Sequence, residues 1–253
     1  MTMRNDQVIF RYVSSTLTAS CLALPANAQD GLAGWDWGLE INGWLPDIEM
    51  TTADGVDIDL TISEILDNLD FTLQGGVFAT KGNWLVFADG LYLGLAASDK
   101  VSGKIGPIDT TLEADIDQSA FISTFGAGYK FYQTPDTMVH AIGGLRYLYM
   151  DLELEGSLGS IDLEFDESDD NWDAIVGLQG KTKINEKWSF HYYGDIGTGE
   201  SDLTVQAKVG FAYAFESFDL TLSYRYMDFD FDGNDSLDDL TIYGPQIGAV
   251  FRF

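Results

Sequence analysis

Between residues 203 and 226 the chain switches from apolar to polar at almost every step. Leu203, Val205, Val209, Phe211 and Tyr213 oppose Thr204, Gln206, Lys208 and Gly210; after a short break, Leu220, Leu222, Tyr224 and Tyr226 oppose Asp219, Thr221, Ser223 and Arg225. A period of two is that of an extended strand with one face in an apolar medium. The pattern recurs from Phe121 to Phe131, from Val139 to Tyr149, from Trp172 to Leu178 and from Trp188 to Ile196. It returns at the very end, where Tyr243, Pro245, Ile247, Ala249, Phe251 and Phe253 share one side. Strands are expected to begin near Trp35, Phe71, Trp84, Ala114, Met138, Trp172, Trp188, Leu203, Phe218 and Asp239.

The separators alternate in kind. Short ones fall at Lys81-Gly82-Asn83, Thr134–Thr137, Asn185-Glu186-Lys187 and Glu216-Ser217, and long or acidic ones at about 51–70, 99–113, 155–171, 199–202 and 231–238. Short turns on one side and longer loops on the other predict an all-β, up-and-down antiparallel transmembrane barrel. About ten strands are expected, with eight or twelve as alternatives, and an even number puts both termini on the periplasmic side. A soluble sandwich has the same period, but here aromatic residues gather at strand ends and basic residues keep to the polar face among glycines. That distribution fits a lipid-facing outside with aromatic girdles and a hydrophilic lumen. Asp89 fits less simply, since alternation sets it beside Leu85, Phe87 and Leu91 unless a bulge near Gly90 shifts the register.

The first residues change the compartment. Arg4 and Arg11 precede a moderately apolar stretch from Tyr12 to Leu24 and then Pro25-Ala26-Asn27-Ala28, the layout of a secretory signal cleaved after Ala28. Residues 1–28 are therefore expected to be removed, leaving 29–253 as a single barrel domain. Cys21, the only cysteine, lies inside that leader, so the mature chain has neither disulfides nor thiolate ligands. A formal charge of −28, from 13 basic and 41 acidic residues, argues against nucleic acid as a partner.

Candidate chemistry falls in three places. Glu40, Asp173, Asp195 and Asp219 are available to pair across the lumen with Arg146, Lys181, Lys208 and Arg225, which would close the interior to free flow. Asp228, Asp230, Asp232 and Asp239 follow the D-x-D-x-D-G spacing of a calcium loop, although strands flank it and Asp stands in for the usual final Glu. Weak Ca²⁺ or Mg²⁺ binding there, or at the acidic run Asp162–Asp170, is the only cofactor expectation. In the first outer loop Ile62, Ile65, Leu66 and Leu69 share a helical face and predict a short helix on the rim or over the mouth. His140 and His191 are the only histidines. Ser189 shares a face with His191 but lacks an evident third group, so no enzyme is expected; a barrel protease or lipid A-modifying enzyme is the remote alternative.

With the leader, the hairpins and the closing AVFRF, the mature chain resembles the small Gram-negative outer-membrane barrels: the OmpA-type membrane domain, OmpX-like and opacity-type surface proteins. The resemblance implies that Tyr243, Phe251 and Phe253 form the C-terminal signal read by the barrel assembly machinery. It implies a monomer in the cell outer membrane, in contact with lipid and lipopolysaccharide. The expected role is structural or surface-interacting, with slow passage of small solutes allowed, and a dedicated narrow porin or channel is the alternative.

Overall fold

The computed structural model describes residues 34–52, 57–63, 65, 69–105, 108–158, 161–231 and 237–253. The expected signal segment lies outside them, as do Leu66 and Asp232. The described residues form twelve strands: β1 (Asp36–Trp44), β2 (Asp47–Thr52), β3 (Asp57–Leu60), β4 (Leu69–Lys81), β5 (Trp84–Ile105), β6 (Ile108–Gln133), β7 (Thr137–Leu158), β8 (Ile161–Lys183), β9 (Trp188–Gly199), β10 (Leu203–Ala214), β11 (Asp219–Asp230) and β12 (Leu237–Arg252). Neighbours pair antiparallel in sequence order from β4 to β12, and β1 pairs with both β4 and β12 to close the sheet on itself. Among the described residues no helix is long and apolar enough to cross a membrane.

The circuit has ten strands because β1 and β2 are two halves of one. β1 runs along β12 from Gly38↔Arg252 to Trp44↔Gln246, and β2 continues from Asp47↔Tyr243 to Thr52↔Leu237. Leu45 and Pro46 interrupt it, since proline offers no amide to the ladder. Gly244 lets the interruption pack close, because a Cβ there would lie 2.3 Å from the carbonyl oxygen of Leu45. Past the break β3 folds back onto β2. Ile62, Ser63 and Ile65 then form a helical turn, in which the Ile65 amide donates to the Thr61 carbonyl at 2.9 Å. Leu69, expected on the same helical face, instead begins β4.

The short connections are where alternation placed them. Gly82, at φ +61°, turns the chain between Lys81 and its cross-strand partner Trp84. Asn185 accepts hydrogen bonds from the amides of Lys187 and Trp188, both at 2.9 Å. At the same end Trp37 and Phe253 exchange backbone hydrogen bonds, which ties down the C-terminus.

β9, β10 and β11 have 12 residues each, close to the ~9–11 that a tilted strand needs to cross a bilayer. Their outward side chains are apolar and exposed, with Leu222 at 62%, and the same holds for Val176 on β8 and Ile247 on β12. Aromatic pairs ring both edges of this band. Trp84–Tyr129 and Trp188–Tyr213 stand at the short-turn end, and Tyr147–Trp172 and Tyr226–Tyr243 at the other.

Two expectations are corrected. The segments 99–113 and 155–171, read as loops, are mostly strand: β5 to β8 run for 22 to 26 residues and carry a four-stranded sheet beyond the band. The excess of about ten or more residues per strand corresponds to roughly 30–45 Å of extended chain. In that sheet Asp117, Glu153 and Asp166 stand in register across β6, β7 and β8, as do Asp115, Glu155 and Glu164 two residues further along. The second correction concerns β5. Its register is unbroken from Trp84 to Gly94, and Leu85, Leu91 and Leu93 are buried inside the barrel beside Asp89, while Trp84, Val86 and Tyr92 face out.

Candidate functional site: the barrel lumen

Inward residues sort by height into three layers. Nearest the short turns, Lys208 Nζ donates to Glu40 Oε1 at 2.7 Å and Asn42 Nδ2 donates to the same oxygen at 2.9 Å. Arg252 Nη1 donates to Asp219 Oδ2, and Ser189 Oγ lies 2.9 Å from His191 Nε2. His191 stands opposite Lys181 in the β8–β9 register. Lys181 is half-buried and has no ion pair among the described residues.

The middle layer spans the barrel. Arg146, fully buried, donates through Nη2 to both oxygens of Asp195 at 2.8 and 2.7 Å and to Gln206 Oε1 at 3.0 Å. Its Nη1 donates to Thr204 Oγ1 at 2.7 Å and its Nε to Thr124 Oγ1 at 3.4 Å. Arg225, 2% exposed, donates to Asp89 Oδ1 at 2.7 Å and to Gln206 at 3.1 Å. Opposite them Gln246 Nε2 donates to Gln74 Oε1 at 3.1 Å. Two buried cations side by side are tolerable because each faces a carboxylate and the two share an amide oxygen.

Above this the lumen is apolar, contrary to a wet interior along its whole length. Trp44, Leu91, Leu93, Ile122, Leu148, Met227, Phe229, Leu240 and Ile242 are buried in one cluster with Ile65 of the helical turn. The boundary is marked by aromatic rings against the cations: Arg225 lies 5.3 Å from the Trp44 centroid and Arg146 5.8 Å from that of Phe229.

Of the eight residues expected to form a charge network, the structure joins Glu40 to Lys208 and Arg146 to Asp195. Arg225 takes Asp89 and Asp219 takes Arg252, two partners that sequence reasoning left out of the set. Asp173 is buried but works elsewhere: it accepts from the Ser201 amide at 3.0 Å and from Ser201 Oγ at 2.9 Å, holding the turn between β9 and β10. Alternation did contain the signal for Asp89, since a lone carboxylate on an apolar strand face needs a cation opposite.

Of the four acidic residues of the calcium-loop spacing, Asp232 lies outside the described residues and the other three do not converge on a point. Asp228, Asp230 and Asp239 lie along β11 and β12, with Asp230 directly opposite Asp239, and Asp228 accepts from Thr241 Oγ1 at 2.7 Å. Among the described residues no group of three or more His, Cys, Asp or Glu could hold a metal ion. Burial first and then the neighbouring carboxylates of Asp230, Asp228 and Asp238 push the Asp239 carboxyl up from its ordinary value. Tyr243 and Phe251 sit on the outer face, and Phe253 is 80% exposed.

A closed antiparallel strand circuit with an apolar outer band, aromatic girdles at its two edges and the charges at that height turned to the lumen defines a protein of the outer-membrane β-barrel class. Residues 67–239 match the family described as "Protein of unknown function, DUF481", and the chain belongs to that family. No curated protein matches the sequence. Among solved structures, the translocator domain of the autotransporter NalP from Neisseria meningitidis is similar at 12% identity, covering 90% of this chain and 92% of that one, with a TM-score of 0.48. Ail of Yersinia pestis is similar at 13% identity, covering 87% and 99%, with a TM-score of 0.41. The toluene transporter TodX of P. putida is similar at 13% identity, covering 91% and 92%, with a TM-score of 0.31. None of these reaches 0.5, and the fold assignment rests on the chain's own closure and register.

Proposed function

We propose that this is a monomeric integral protein of the cell outer membrane, closed along its axis, whose working surface is the sheet raised beyond the bilayer by β5 to β8. One observation carries this reading. Arg146 is fully buried in the middle of the lumen and hydrogen-bonded to four side chains from β6, β9 and β10, with an apolar plug directly above it. Ions would have to break that layer and then cross a dry one.

The outward sheet supports a surface role by its length and by the acidic residues that its register brings opposite one another. Lipopolysaccharide phosphates bridged through weakly held Ca²⁺ or Mg²⁺ are the natural neighbours of such a face. Tyr243, Phe251 and Phe253 serve assembly by the barrel machinery, and the protein is not an enzyme. The Ser189–His191 contact lacks an orienting carboxylate, because Asp195 gives both oxygens to Arg146.

The decisive test is electrical. Purified protein in planar bilayers is expected to give no discrete conductance steps in potassium chloride, and reproducible steps would show the pore reading to be the better one. Orientation is tested with single cysteines in the otherwise thiol-free mature chain. Ser102→Cys is expected to react with a membrane-impermeant maleimide on intact cells and Ser217→Cys is not; the reverse pattern would sink the outward placement of the sheet.

A further inference from the structure

The apolar upper lumen is not perfectly filled. Between β2 and β12 on one side and β5, β6 and β7 on the other lies a chamber of about 30 Å³, lined by Met50, Leu93, Ala120, Ile122, Met150 and Leu240 among other apolar residues. No polar side chain lines it, so a water molecule there would forfeit its hydrogen bonds. Met50 and Met150 are flexible thioethers that can repack around an occupant.

Beside the chamber the barrel wall has a seam. β1 pairs with β4 only as far as Asn42↔Gln74. Past Leu45-Pro46 the chain, now β2, stays on β12 and takes β3 as its other neighbour. Among the described residues, β4 beyond Gln74 is therefore paired with β5 alone. Leu45 and Leu73, 42% and 53% exposed, flank the base of the seam on the lipid face. Ile62 and Ile65 cover its inner side with Trp44, Pro46, Thr72 and Leu93, around a gap of about 10 Å³. Leu93 lines both gap and chamber, which adjoin at that side chain.

We propose that the chamber is a binding site for a small uncharged hydrocarbon, reached sideways from the outer leaflet through the seam between β3 and β4. The lining gives an occupant nothing to bind but apolar surface, and the way in runs between lipid-facing leucines, so a charged or polar solute is excluded at both points. The chamber as it stands is far smaller than the ~150 Å³ that holds a benzene ring, so binding displaces the Ile62–Ile65 turn. That turn can yield without breaking a barrel-closing ladder, because β3 is hydrogen-bonded to β2 and not to β4. The polar layer beneath blocks the axial route toward the short turns, and the seam serves as the exit as well. This inference needs the barrel to lie in a bilayer but is independent of any partner of the outer sheet.

Trp44 lines the gap that shares Leu93 with the chamber, and it supplies the readout. Protein in lipid nanodiscs, with Trp35, Trp37, Trp84, Trp172 and Trp188 replaced by Phe, is titrated with bromobenzene, a heavy-atom quencher. Saturable loss of most of the Trp44 emission is expected, and the Ala120→Phe variant, which fills the chamber, should reduce it to the weak linear quenching of simple partition. A second arm uses lipids brominated on their acyl chains with no added solute. Quenching there would assign the chamber to a lipid chain and overturn the proposal, as would linear quenching of the parent protein. If Ala120→Phe fails to fold, judged by loss of its faster unboiled gel band, crystals of the wild-type protein soaked in bromobenzene decide the matter. A bromine anomalous peak beside Leu93 and Ile122 supports the site, and its absence refutes it. A silent planar bilayer with no saturable quenching would sink this inference while leaving the closed-barrel reading intact.

Discussion

Arg146 has all of its guanidinium nitrogens engaged, two of them by three residues on strands that are not neighbours of β7. Cutting it to alanine leaves Asp195 as an uncompensated buried charge. Arg146→Ala is therefore expected to destabilise the barrel by about 3–5 kcal/mol, read as a lower thermal midpoint of the heat-modifiable band. The double change Arg146→Met with Asp195→Leu removes both charges and should recover much of that loss, whereas additive losses would show that the pair is not coupled. Asp239 gives the opposite case. Its carboxyl is held above the ordinary 3.8 by burial and by Asp230, Asp228 and Asp238, so ionising it opposes folding. The penalty is fully present above the folded-state value and fades as pH falls below it. Asp239→Asn should raise the thermal midpoint near neutral pH, by a few tenths of a kcal/mol at so exposed a site, and the gain should vanish near pH ~4. A gain that persists in acid would point to a cause other than charge. The alternation made Arg146, Asp195, Glu40 and Lys208 visible as inward polar residues. It left Asp89 without a partner, because the partner is fixed by where β5 and β11 face each other across the lumen.

At the scale of strands, glycines on the inner face of β6 and β7 set how closely the strands approach. A Cβ on Gly144 would lie 2.2 Å from the carbonyl oxygen of Phe125, a backbone atom that cannot swing away. Gly144→Ala is expected to weaken the β6–β7 ladder, seen as faster amide exchange at Phe125 and Leu145, while Gly143→Ala, whose Cβ would sit 3.7 Å from its nearest neighbour, should be tolerated. Equal exchange in the two variants would refute the close-approach argument. Strand positions and turns were legible from period and punctuation, since each depends on a few adjacent residues. Strand length was not. The acidic stretches 99–113 and 155–171 read as loops because no bilayer-like band of aromatic and aliphatic residues marks them. They pair because long antiparallel neighbours continue one another's ladders, from Leu112↔Leu158 inward and from Leu158↔Ile161 inward. The helical turn was half legible: Ile62 and Ile65 lie in it, while Leu69 was captured by the sheet.

For the whole molecule, closure and projection are separable. The barrel is shut by β1 on β12 and β1 on β4, far in sequence from the tips of β5–β6 and β7–β8. Replacing residues 97–116 and 153–166 by short turns should leave a folded, heat-modifiable barrel with unchanged insertion into liposomes. Loss of folding would show that the projecting sheet is part of the folding unit. A surface role predicts in addition that the trimmed protein loses divalent-cation-dependent adhesion to lipopolysaccharide-coated surfaces while the intact one keeps it.

Local order was enough to fix an all-β chain of alternating strands, its lipid face on nearly every strand, its short turns and its C-terminal ridge, because each of these depends on periodicity within about ten residues. Tertiary structure alone decided which inward residues meet. It fused β1 and β2 into one strand, turned β5's leucines inward to form a dry plug above two paired arginines, and opened a seam beside them. The reason is geometric: alternation says which face a side chain occupies, but only closure of the barrel fixes what stands opposite it across the lumen.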